Sequence, residues 1–127
     1  MRRLIVVLVA VLIGGAEFCS AARPIPPVPD LTAGGKPDKA HDWNLGPTGM
    51  RGWMASRKLE TISSRQILVT KVDKGSPADG VLAVGDVILG VGGTLFTSDA
   101  RKSFGRAIGQ AETRQARGLL KMTIWRK

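Results

Sequence analysis

The run from Lys74 to Phe96 constrains this chain more than any other, because its turn residues and apolar segments interleave in short units. Gly75-Ser76-Pro77 forms one turn cluster, Gly85-Asp86 a second and Gly92-Gly93 a third. Glycine enters left-handed angles at no steric cost, proline presets φ, and aspartate accepts nearby amide hydrogens, so each cluster can reverse the chain. Between the clusters fit the apolar segments Val81 to Val84 and Val87 to Val91. This is the grammar of a small β-fold.

The flanking segments extend the pattern. Gln66 to Val72 is rich in β-branched residues and bounded by Ser63-Ser64 and by Asp73 to Pro77, which reads as a strand. Ser98-Asp99 supplies an N-cap and a first-turn acid for a helix through about Glu112, with Ala100, Phe104, Ala107, Ile108 and Ala111 at helical spacing. Gly105 and Gly109 each lower helix propensity by ~1 kcal/mol relative to alanine, so packing must hold this helix in place. Leu119 to Trp125 alternates and reads as the last strand. Upstream, His41 to Arg57 holds three glycines, one proline and two tryptophans, which predicts a tightly turned loop running into a strand near Trp53.

The first 42 residues have a different character. Met1-Arg2-Arg3, an apolar run from Leu4 to Ala16 and the small residues Ser20-Ala21-Ala22 read as a secretory signal peptide spanning 1–22, with cleavage after Ala21 or Ala22. The apolar run is short of the ~20 residues that a membrane-spanning helix needs, so membrane contact is expected only through the uncleaved segment. Cys19 is the single cysteine and leaves with that segment, so the mature chain has neither a disulfide framework nor a thiol nucleophile. Residues 23–42 are read as a Pro/Gly-rich linker; five of the seven prolines fall within it and forbid regular helix or central strand. Losing residues 1–22 removes two of 19 basic and one of 10 acidic side chains, which leaves a net charge of +8. The basic residues are dispersed rather than clustered, and no aromatic-studded strand accompanies them, so nucleic acid is not an expected partner.

Gly75-Ser76-Pro77-Ala78, Gly85-Asp86 and Ile88-Leu89 to Gly93 together resemble the PDZ domain signature, G-S-P-A followed by A-G-L-x-x-G-D and I-L-x-V-N-G, with Gly92 where the family usually has Asn. The resemblance implies an α+β fold over 43–127. Such a fold is a small, partly open β-barrel or sandwich of five to six strands with one main helix and one short helical turn. It also implies a groove between a strand and the main helix. In that groove a G-L-G-F-type loop offers backbone N–H groups to a peptide's terminal carboxylate, and the next strand pairs with the peptide by edge addition. By chain order, Arg51-Gly52-Trp53-Met54 falls where that loop is expected, and Thr97, Arg101 and Phe104 fall along the helix wall. Those seven positions are the candidate peptide-binding residues.

Three readings of function follow. The first is a secreted or periplasmic module that binds a protein or peptide C-terminus. The second is a structural or regulatory domain that positions a neighbouring protease or hydrolase. The third is an electrostatic binder of anionic wall polymer or lipid. No cofactor or metal is expected. His41-Asp42 makes a poor catalytic relay, since neighbours on an extended chain point to opposite sides.

Overall fold

The computed structural model describes residues 4–10, 28–38 and 41–127. The expected cleavage site after Ala21 or Ala22, Cys19 and the start of the proline-rich arm lie outside the described residues. In chain order the elements are β1 (Ile5–Ala10), β2 (Trp43–Asn44), a 3-10 turn (Gly46–Thr48), β3 (Met50–Trp53), β4 (Ile67–Val72), β5 (Val87–Val91), β6 (Thr94–Leu95), helix α1 (Ala100–Ala111) and β7 (Leu119–Trp125). The strands form one sheet in the order β1-β7-β5-β4-β3-β2, with β6 hairpinned to β5. This is the expected α+β architecture with one helix and one helical turn. Six of the seven strands, β2 to β7, fall within 43–127, as expected, and the leader-like run adds the seventh, β1.

Alternation along each strand divides the side chains between two faces. On the inner face Met50, Met54, Ile67, Val69, Ile88, Leu120, Met122 and Ile124 form the main core with Phe104 of α1. On the outer face Trp53 and Val87 make a second, smaller cluster with Leu31, flanked by Leu68, Leu89 and Trp125. Leu31 belongs to the arm expected to be a linker. Its amide donates to Gln66 Oε1 at 2.8 Å, and Gln66 Nε2 donates to Asp30 Oδ1 at 3.0 Å, so residues 30–31 are docked rather than extended from the domain.

Local chemistry explains the turns. Gly92 and Gly93 both have positive φ, +62° and +81°, which is the two-residue hairpin turn that matches strand twist and that Asn-Gly or Gly-Gly permits. Asp86 is buried after the Gly85 turn, where its Oδ2 accepts the Ala83 amide at 2.9 Å. Its carboxylate also receives Arg126 in a two-pronged contact, at 2.9 Å from Nε and 2.6 Å from Nη2. The cap of α1 is Asp99, whose carboxylate accepts from the amides of Arg101 and Lys102; Ser98 lies outside it. Thr61 donates to the same carboxylate at 2.7 Å and Ser64 accepts the Ala100 amide, which fixes the start of α1 against the β3–β4 connection.

Along β1 the apolar residues pair in parallel with β7, from Ile5 opposite Leu119 to Ala10 opposite Ile124. Val6 is buried against the main core, with Leu4 and Leu8 packed beside it. With residues 5–10 present, therefore, β1 covers the outer edge of β7.

Candidate functional site

β3 is the strand that can build a site. One of its edges pairs with β4, with a bulge at Arg51/Gly52. The other edge carries β2 in antiparallel register, Trp43 opposite Gly52 and Asn44 opposite Arg51. The ladder continues through the Leu45 amide, which donates to the Met50 carbonyl at 2.9 Å. The cleft between β3 and α1 thus holds an extended backbone, and that backbone is the chain's own.

The inward side chains of this segment fill the cleft. Trp43 and Leu45 are buried and join Met54, Ile67 and Phe104 in the main core. The Arg101 guanidinium lies over the Trp43 ring, 5.8 Å from its centroid, within cation–π range. His41 meets the same ring edge-on, with centroids 4.7 Å apart. Further along the cleft, a Cβ built on Gly46 would stand 3.2 Å from Ile108 Cδ1. Segment 43–46 therefore runs in the same direction as α1, from Arg101 towards Ile108.

Side-chain oxygens hold the turn after β2. Asn44 Oδ1 accepts the Gly46 amide at 2.8 Å, Thr48 Oγ1 accepts the Met50 amide at 3.2 Å and donates to the Leu45 carbonyl at 2.9 Å. Pro47 has no N–H. The turn is also pinned from behind: the amides of Asp73 and Ala78 donate to the carbonyls of Gly49 and Thr48. Gly49, at φ +79°, approaches Ser76 so closely that a Cβ there would stand 2.1 Å from Ser76 Cβ. The Gly75-Ser76-Pro77-Ala78 cluster thus sets the position of the turn beside the cleft.

On the outer face Asp42 ties the start of the segment down. It takes Arg51 Nε and Nη2, each at 2.8 Å, and Thr70 Oγ1 at 2.7 Å. The Arg51 guanidinium and the Thr70 hydroxyl hold the Asp42 carboxyl below the usual carboxylate range.

The seven candidate residues are distributed as follows. Gly52, Met54, Phe104 and Arg101 surround the cleft, the first three from its floor and Arg101 from its exposed rim. Arg51 lies on the outer face against Asp42, and Trp53 lies there too, packed under Leu31. Thr97 is exposed ahead of the helix cap. Arg51-Gly52-Trp53 is strand rather than loop, and the loop is 45–49, immediately before it. Gly52 is required for a different reason from the one expected: a Cβ there would meet Ile67 Cγ2 at 2.5 Å and Leu45 Cδ1 at 3.0 Å, with no positive φ involved. Sequence reasoning passed over Leu45, Asn44 and Thr48. The spacing Asn44-x-Gly46, an Asx-turn signal, was the available clue.

The model of the PDZ domain family matches residues 39–125, well over half of the chain. No curated protein and no solved structure matches it.

Proposed function

Because the chain belongs to the PDZ domain family, whose members are non-catalytic modules that generally bind peptides and protein C-termini, we propose that it is an exported recognition domain. It takes an extended peptide or a protein C-terminus on the edge of β3 that faces α1. The observation that carries this reading is the antiparallel ladder on that edge, which holds an extended segment with alternate side chains directed against α1. Main-chain pairing of this kind gives affinity, and the alternate side-chain positions give selectivity. The leader-like start of the chain supports export to a periplasm or beyond the cell.

The test is titration of the folded chain with a library of C-terminal peptides, followed by tryptophan fluorescence. Trp43 is the reporter, since Trp53 belongs to the outer-face cluster and Trp125 packs against it. Saturable binding that is lost on amidating the peptide is expected. Binding that ignores amidation and weakens steeply with salt would instead support an electrostatic association with anionic polymer or lipid. A folded chain that binds no peptide would overturn the recognition reading in favour of a structural domain that positions a neighbouring hydrolase or protease.

A further inference from the structure

Resting on the peptide-binding reading above, we propose that residues 42–45 are a built-in stand-in for the ligand, and that the cleft's ligand is an extended peptide of the pattern acid-aromatic-x-aliphatic with a free terminal carboxylate. Each part of that pattern is read from the group that occupies the site. Trp43 lies under the guanidinium of Arg101, which stays on α1 when the segment leaves, so an aromatic side chain is wanted there. Leu45 packs against Gly52, where no larger backbone substituent fits, so an aliphatic group is wanted two residues on. Asp42 faces Arg51 and Thr70 on the outer side, which asks for an acid one residue before the aromatic. The side-chain oxygen of Asn44 takes the Gly46 amide, an anion-seeking donor that a carboxylate would satisfy more strongly.

An incoming peptide with this chemistry runs antiparallel to β3 and along α1 as 42–45 does, and it replaces each contact in kind. Displacement exchanges like for like: β2 is only two residues long, so few ladder bonds are broken, and the peptide's acid, aromatic and aliphatic groups take the places that Asp42, Trp43 and Leu45 vacate. While the segment is in place the cleft is closed, and the apparent affinity falls by the fraction of molecules that are open. Swinging it out both empties the cleft and frees the Gly46 amide, so the closed domain is blind to the carboxylate that the open domain reads.

The experiment locks the segment. Asn44 and Arg51 are directly opposed, next to the hydrogen-bonded Leu45–Met50 pair. Such non-hydrogen-bonded pairs bring Cα atoms to about 4.5 Å, within disulfide reach. The full chain carrying Asn44→Cys and Arg51→Cys, in a Cys19→Ser background, is titrated with the synthetic peptide Asp-Trp-Asn-Leu, free-acid and amidated, oxidised and then reduced. Binding of the free acid at least about tenfold weaker when oxidised is expected. In the native chain, saturating peptide should raise hydrogen exchange at the Leu45 amide and leave the Val69 amide, which donates to Asp86, protected. The acid preference is read on the native chain, where Ala-Trp-Asn-Leu should bind more weakly than Asp-Trp-Asn-Leu. Equal affinity in the oxidised and reduced forms would overturn the stand-in. Peptide binding with Leu45 still protected would overturn it too, while leaving the peptide-binding reading intact. Absence of binding in oxidised, reduced and native chains alike would bring both down.

Discussion

Asp86 shows how much one residue can do in a small sheet. Its side chain is 4% exposed and joins the Ala83 amide, in the turn before β5, to Arg126, just beyond β7. Burial alone would raise its pKa; the Arg126 hydrogen bonds and the Ala83 amide outweigh burial and hold the carboxyl below its ordinary value. Asp42, beside Arg51 and Thr70, and Asp30, beside Gln66 and Thr32, shift the same way. A carboxyl depressed in the folded state contributes stability that is full above the unfolded value, about 4, and drains as pH falls through the lower folded value. Asp86→Asn should therefore cost about 1–3 kcal/mol at neutral pH, and its difference from the native chain should shrink near pH 3. Urea unfolding at both pH values measures this, and a difference that stays constant would contradict it. The structural role of Asp86 was legible in sequence because its amide contact is local to the Gly85-Asp86 turn; Arg126, forty residues away, was not. Gly52 failed for the same reason, since what excludes its side chain is Ile67 and Leu45, brought together only by folding.

Among the elements, α1 is held by its ends and by Phe104 rather than by its intrinsic propensity. Asp99 caps it, Thr61 and Ser64 fix its start, and Phe104 is 2% exposed in the core. Gly105 and Gly109 are exposed, and a Cβ at either would have nothing within 4 Å. Gly105→Ala and Gly109→Ala should each stabilise the fold by about 0.5–1 kcal/mol, with near-additive effects in the double variant. A loss of stability in denaturant unfolding would show that one of these glycines serves a contact outside the folded monomer. The helix, β4 and β7 were readable because each repeats its apolar pattern over six or more residues. β2 was not, because two residues carry no period, and its place beside β3 depends on the Asn44 and Thr48 hydrogen bonds that close the turn.

At the scale of the whole molecule, one edge and the outer face of the described sheet are covered by segments that sequence composition assigns elsewhere. The apolar, β-branched stretch Ile5–Ala10 suits a leader and a strand equally well, and here it covers the edge of β7. Leu31 closes the outer face from within an arm whose prolines suggest only a spacer. A chain beginning at residue 23 should leave β7 with a bare edge, so its amides directed towards β1 should lose hydrogen-exchange protection while those bonded to β5 keep it. Unchanged protection across β7 would mean that another segment takes the place of β1. At the other end of the sheet lies the proposed recognition site, the cleft beside β3. The measurement that tests this most directly is an amide-resolved NMR titration of the chain with the free-acid peptide Asp-Trp-Asn-Leu. Shifts concentrated at Leu45, Gly46, Gly52, Arg101 and Phe104 are predicted, whereas shifts confined to β7 or the basic surface, or none at saturating peptide, would contradict a recognition site between β3 and α1.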